Sequence, residues 1–245
     1  MIPPGPSAIP NQVAAFLVET AIIAVASALQ AATGMGMALL AAPLLVLLDP
    51  TLVPGPMLCA VVALSAAVAW RERIAIDRSV LATGLAGLLV GCVIGAALLV
   101  LLLGLNLSRV FAILILGAVL LSVSGLHLRA TRPALLIGGV ASGVFGTMAG
   151  VHGPPIAIVL QHEPPDRLRA TLCAFFSVGC LISIVSLAVS GLFGTAQLDL
   201  GLRLLPGVAA GFAFAYAIGR RIDRRGARVT VLAISALSGL VLLLR

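Results

Sequence analysis

The sequence predicts an all-α polytopic membrane protein made of two inverted-topology repeats, each a broken helical hairpin followed by three transmembrane helices. Three observations carry that prediction. First, 61% of the 245 residues are apolar and only 9% are charged, whereas soluble domains carry roughly a quarter charged residues. Second, uncharged runs recur along the whole chain at the length of about 20 residues that crosses a hydrocarbon core. Third, the basic residues, all 15 of them arginine, gather in the gaps between those runs. The same composition excludes a disordered chain, a secreted disulfide scaffold and a nucleic-acid binder, because the formal charge of +7 is spread between apolar runs instead of forming one polar face.

In chain order, residues 1–10 are Pro-rich and carry no Lys or Arg. The positive n-region of a secretory signal is therefore missing, and the first span is expected to be retained. Segment 11–48 is too long for one helix and is interrupted by Gly34-Met35-Gly36-Met37 with Pro43; it reads as a broken hairpin. The runs 50–70, 79–103 and 109–126 each fit one crossing and complete an N-terminal repeat, 1–126. Segment 133–162 is again overlong and carries Gly143, Gly146, Gly150 and Gly153-Pro154-Pro155, a second broken hairpin. Single crossings at 170–193, 200–219 and 228–244 complete the C-terminal repeat, 127–245.

Orientation follows from arginine. Arg71, Arg73 and Arg78, then Arg129 and Arg132, Arg167 and Arg169, and Arg220, Arg221, Arg224, Arg225 and Arg228 place 12 of the 15 in four short loops. Such loops face the cytoplasm, here the inside of a bacterial inner membrane. Loops 104–108 and 194–199 hold no arginine and are expected outside. Segment 133–162 must then begin and end inside and 11–48 outside, with both chain termini outside.

Self-similarity gives the same architecture independently. Leu58-Cys59 recurs as Leu172-Cys173, the ladder Gly87, Gly91, Gly95 as Gly207, Gly211, Ala215, and Arg109-Val110 as Arg228-Val229, at offsets of 114 to 120. Gly34 pairs with either Gly146 or Gly150. An odd number of passes per half inverts the second half. Inverted repeats with helices broken at matching places are the architecture of secondary transporters, with the substrate held where the breaks meet. Unpaired backbone is tolerated there only if it is buried or lines a wet cavity. The competing reading is that Gly and Pro simply kink packed membrane helices.

After each break the chain is expected to restart as a half-helix, near 37–48 and 155–162, whose N–H groups and dipole favour an anion. Pro155 sits where a missing N–H costs least, and glycine at 34, 36, 150 and 153 lets backbone approach a ligand. No acid lies in either break, so a metal would find no carboxylate; no metal and no cofactor are expected, and a small oxyanion is. The candidate binding residues are Thr33, Gly34, Met35, Gly36, Met37, Gly150, Val151, His152, Gly153 and Pro154. His152, the only titratable side chain in a break, either donates to the anion or carries a proton, or is satisfied by a carbonyl in a tight turn. Glu19, an acid within the first span, is the other candidate for proton coupling, or else sits near the outer interface. Gln30 and Thr33 either complete a cavity lining or bond helix to helix. Trp70 and Tyr216 read as interfacial anchors, Cys59, Cys92, Cys173 and Cys180 as packing residues, and the glycine ladders as close helix contacts, which if exposed point to a homodimer.

Laid out this way, the chain resembles the sulfite exporter TauE/SafE family of anion permeases. The match is carried by Thr33-Gly34-Met35-Gly36-Met37 through Pro43-Leu44-Leu45, by Ser142-Gly143 through Gly150-Val151-His152-Gly153-Pro154-Pro155, and by the duplicated glycine helices and Arg-Val starts. It covers nearly the whole chain. Gly-Met-Gly-Met replaces the denser glycine run of many members, and His152 with a double proline is a second departure. The resemblance implies movement of sulfite or of organic sulfonates such as sulfoacetate, with the site at Gly34 to Met37 and Gly150 to Pro154. Two other classes stay open: a channel or transporter for a different solute, and an intramembrane enzyme, for which the scattered His127, His152 and His162 supply no cluster.

Overall fold

The computed structural model describes the backbone of residues 8–126, 128–218 and 224–244, and side chains from 13 onward except at 127, 218–225, 227 and 245. His127 and the side chains of Arg220, Arg221, Arg224 and Arg225 thus lie outside the described residues. Those residues form eleven α-helices and no strand: α1 (Ala8–Thr33), α2 (Met37–Leu48), α3 (Gly55–Arg71), α4 (Arg78–Leu101), α5 (Leu107–Val123), α6 (Arg132–Ala149), α7 (Gly153–Val159), α8 (Pro165–Val189), α9 (Thr195–Arg203), α10 (Leu205–Ile218) and α11 (Arg224–Leu244). Four stretches, Val13–Thr33, Arg78–Leu101, Pro165–Val189 and Thr195–Ala217, are long and apolar enough to cross a membrane, and shorter apolar helices accompany them.

Local chemistry sets the starts. Asp77, Asn106 and Thr131 cap α4, α5 and α6, each side chain accepting from backbone N–H groups of the first turn, which satisfies donors a helix otherwise leaves free. Both breaks fall where the glycines predict, at 34–36 and at 150–152, but four details differ. Pro43 lies inside α2 and is no part of the first break. Gly143 and Gly146 lie inside α6, and the second half-helix runs over 153–159, not 155–162. The run 200–219 is two helices, α9 and α10, meeting at Leu204; Pro206 has no N–H for the carbonyl of Leu202 and its ring crowds that carbonyl.

Glycine also decides which helices touch. A Cβ at Gly87 or Gly91 of α4 would overlap the carbonyl oxygens of Leu136 and Val140 on α6, and one at Gly139 or Gly143 would overlap those of Gly84 and Leu88. On the other side, a Cβ at Gly207 of α10 would lie 2.7 Å from the Thr20 oxygen of α1, and one at Gly211 would overlap the Ala24 oxygen. So α4 packs on α6 and α10 on α1, while α3 packs on α8 and α5 on α11. Both ladders are buried inside the bundle. They therefore offer no exposed face of the kind from which a homodimer is expected. The outward faces carry Leu89, Val93, Leu120, Ile137 and Val185, all exposed, as a lipid-facing surface requires.

Trp70 and Tyr216 are exposed at 73% and 74%, with the Arg73 guanidinium 5.2 Å above the Trp70 ring. At this arginine-rich end the α3–α4 connection is tied to α8: Arg169 Nε donates to Glu72 at 2.7 Å, Arg167 pairs with Asp77, and Thr171 Oγ1 accepts from the Asp77 N–H at 3.0 Å. The four cysteines are free thiols, and all but Cys59 are buried.

Candidate functional site

Each break begins with the same cap. Gly34 follows α1 with φ +89° and Gly150 follows α6 with φ +75°. Their N–H groups donate to Gln30 O and Gly146 O, both at 2.7 Å. A side-chain-bearing residue in this left-handed region costs about 1–2 kcal/mol. Gly36 is a second left-handed residue, at φ +116°, and a Cβ there would meet only Val231 Cγ2 at 3.9 Å. Its need for glycine is conformational. Gly34, by contrast, also lacks space, since a Cβ would lie 2.8 Å from Arg169 Cα.

Between the breaks lies a cavity of about 280 Å³, far larger than the roughly 30 Å³ share of one water. Its walls include Gln30, Thr33, Met35 and Gly36 from the first break and Gly150, Val151, His152, Gly153 and Pro154 from the second. Eight of the ten binding candidates therefore meet in one place. Gly34 and Met37 do not line it: Gly34 packs on α8, and Met37 is fully buried with its sulfur 3.8 Å from Ser27 Oγ. Glu19 is not on the wall either. It is half-buried.

The cavity reaches the surface at Gln161, Pro165 and Arg228, all exposed and all at the end of the bundle that bears the arginine loops. Arg228 is the sole cation among the described wall residues, and its Nη2 donates to the Ser122 carbonyl at 2.8 Å, a neutral partner. Glu163, the acid of the wall, lies 3.5 Å from Arg167. Sequence reasoning treated Arg228 as a marker of topology and of the repeat, and did not single out Ser122, Gln161 or Glu163. Nothing in their spacing predicts that a helix start, a helix end and a loop share one mouth.

His152 is 2% exposed. Its ring folds back under α6, where a Cβ at Gly146 would overlap it. Nε2 lies 3.1 Å from Ser183 Oγ, which is 2.8 Å from Thr147 Oγ1 and 3.2 Å from Cys92 Sγ; Nδ1 is 3.6 Å from Cys180 Sγ. The histidine is thus a node tying the second break to α4, α6 and α8. Ser183 beside His152 has the spacing of a nucleophile and base, yet Ser183 is fully buried and is not on the cavity wall. Among the described residues no three His, Cys, Asp or Glu side chains could hold a metal ion.

Thr33 ties the first break to itself: its Oγ1 lies 2.8 Å from Leu29 O and 2.6 Å from Met35 O and accepts from the Met35 N–H at 3.4 Å. The first turn of α2, beyond Gly36, keeps its N–H groups free of intrahelical partners. In α7 prolines occupy the second and third positions and two of those donors do not exist.

A bundle of apolar helices, four of its stretches long enough to cross a membrane, with a cavity between two breaks has the build of a polytopic membrane protein. The sulfite exporter TauE/SafE family model matches residues 20–242, nearly the whole chain, and the protein belongs to that family. Membership makes it a membrane transporter of sulfur anions. No curated protein and no solved structure matched the chain.

Proposed function

We propose that the protein is a secondary permease for sulfite or a related small sulfur oxyanion or organosulfonate, working by alternating access of two inverted repeats, with the anion held between the breaks. The observation that carries this reading is a cavity walled by both breaks with the Arg228 guanidinium, bonded to a neutral carbonyl, at its mouth. An anion leaving water needs compensating charge and donors. Arg228 attracts it at the mouth, and the free N–H groups of α2, at the positive end of its dipole, receive it deeper in.

The inverted repeat draws support from the packing. Exchanging the halves turns the α4–α6 contact into the α10–α1 contact and the α4–α8 contact into the α9–α3 contact, and leaves α3–α8 and α5–α11 as they are. The shared cap favours matching Gly34 with Gly150. With the arginine loops in the cytoplasm of an inner membrane and both termini outside, the cavity opens inward, the conformation from which an exporter loads.

The test is sulfite flux in proteoliposomes under an imposed pH gradient, with sulfate, thiosulfate and sulfoacetate as competitors. Saturable sulfite movement blocked by related anions is expected; an unsaturable current indifferent to anion identity would overturn the reading in favour of a channel. Proton coupling, with Glu19 and His152 as its sequence candidates, is tested in the same vesicles by Glu19→Gln and His152→Asn. A carrier of the coupled proton, once neutralised, leaves exchange intact and removes the response to the gradient.

A further inference from the structure

We propose, on the footing of the anion reading above, that Gln30 is a substrate-binding residue whose amide NH2 points into the cavity, held in that orientation by Ser65. Gln30 lies on α1 one turn before the first break. It is 2% exposed and is one of the residues that line the cavity.

The other polar groups of the wall are already engaged. Thr33 Oγ1 is committed to the Leu29 and Met35 carbonyls, His152 Nε2 to Ser183, Ser122 Oγ to the Ala118 carbonyl at 2.9 Å, and Gln161 Nε2 to the carbonyls of Leu126 and Ile158 at 2.8 Å. Gln30 makes one side-chain bond, to Ser65 Oγ of α3 at 2.8 Å, and keeps half of its amide without a partner among the described residues. Around it Leu29, Ala38, Leu39, Val61 and Val231 are apolar.

Hydrogen-bond satisfaction decides which half. An amide oxygen and nitrogen are alike in shape, and only the network tells them apart. With the nitrogen toward Ser65, the serine oxygen is an acceptor and its own O–H, fully buried, has no acceptor among the described residues. Turned over, the amide oxygen accepts the Ser65 O–H at the same distance. The buried hydroxyl is then satisfied, and both amide N–H groups face the cavity. That is the donor an oxyanion needs beyond the reach of Arg228, and it carries no positive charge that would trap the anion.

The experiment compares wild type with Gln30→Glu, Gln30→Leu and Ser65→Ala, each purified as a monodisperse protein. Sulfite binding is read by thermal shift with sulfate and sulfoacetate in parallel, and sulfite flux in proteoliposomes is resolved into KM and maximal rate. Gln30→Glu keeps an acceptor for Ser65 and so keeps the fold, but presents a carboxylate to the anion. Its KM is expected to rise at least tenfold and its thermal shift to vanish, Gln30→Leu to behave alike, and Ser65→Ala to raise KM about threefold by freeing the amide. Wild-type binding with an unchanged KM in both Gln30 variants would overturn the Gln30 assignment and leave the transport reading standing. No binding of any of the three anions by wild type would overturn both.

Discussion

The two breaks sit at matching places in the two halves and share a left-handed glycine cap, yet they are built for different work. In the first, Gly36 adds a second left-handed residue, a twelve-residue half-helix follows with its first N–H groups free, and Gln30 reaches the cavity while bonded to a serine of α3. In the second, two prolines remove donors, the half-helix has only seven residues, and the His152 ring is bonded to a serine of α8. The slot its ring fills is cut by Gly146 and Gly179, and Gly146 is the residue that aligns with Gln30 when Gly34 is matched with Gly150. One half therefore fills the space beneath its break with a group that can face substrate, and the other with a group that locks the break to three helices. On the proposed reading a repeat supplies the frame twice, and single residues decide which copy binds the anion and which braces.

That division can be broken by substitution, beginning with the severest. Gly34→Val combines a forbidden φ with a Cβ 2.8 Å from the Arg169 backbone; expression as folded protein is expected to fail, and size-exclusion yield checks it. Gly150→Ala has a comparable φ, but its Cβ meets only the mobile end of Met57. It is expected to fold and to lose about 1–2 kcal/mol, measured as thermal unfolding in detergent. Equal damage from the two would erase the difference in packing claimed for the caps.

His152→Leu removes one of the buried partners of the Ser183 hydroxyl, which keeps Thr147 and Cys92, and breaks the tie between the second break and α8. A loss of about 1–3 kcal/mol is expected, with KM for sulfite changed less than threefold in the protein that remains folded; a large rise in KM at unchanged stability would make His152 a ligand instead of a brace. Arg228→Gln removes the cation of the mouth without touching the deep site. It is expected to lower the rate of sulfite uptake and its dependence on ionic strength, read as initial flux at two salt concentrations.

Much of this was legible in the sequence. Charge-free runs gave the helices, arginine gave the ends, and Gly34-Met35-Gly36 and Gly150-Val151-His152 marked both breaks, because a membrane leaves so few ways to satisfy backbone. The failures were equally physical. Gly143 and Gly146 resembled break residues, but one lets α4 approach and the other makes room for a ring, uses of glycine that composition cannot separate. Pro206 split a span whose uncharged length suggested one helix. The partners of His152 come from α4, α6 and α8 at separations of 28 to 31 residues for direct contacts and up to 91 for the Cys92–Ser183 link, with no pattern to connect them. Arg228 looked like topology because its role at the mouth depends on where α11 docks against α5.

The central claim, that the first break receives the anion and the second forms a rigid wall, is tested most directly by measuring initial sulfite flux for Gly36→Val and Gly153→Ala side by side in proteoliposomes of matched protein content. Gly36 needs φ +116° and faces the cavity, whereas a Cβ at Gly153 makes only an ordinary 3.7 Å contact with Phe176. The account predicts that Gly36→Val, recovered as folded protein, loses at least ten-fold in flux while Gly153→Ala stays within about twofold of wild type. The reverse order, or equal flux in both, would contradict it.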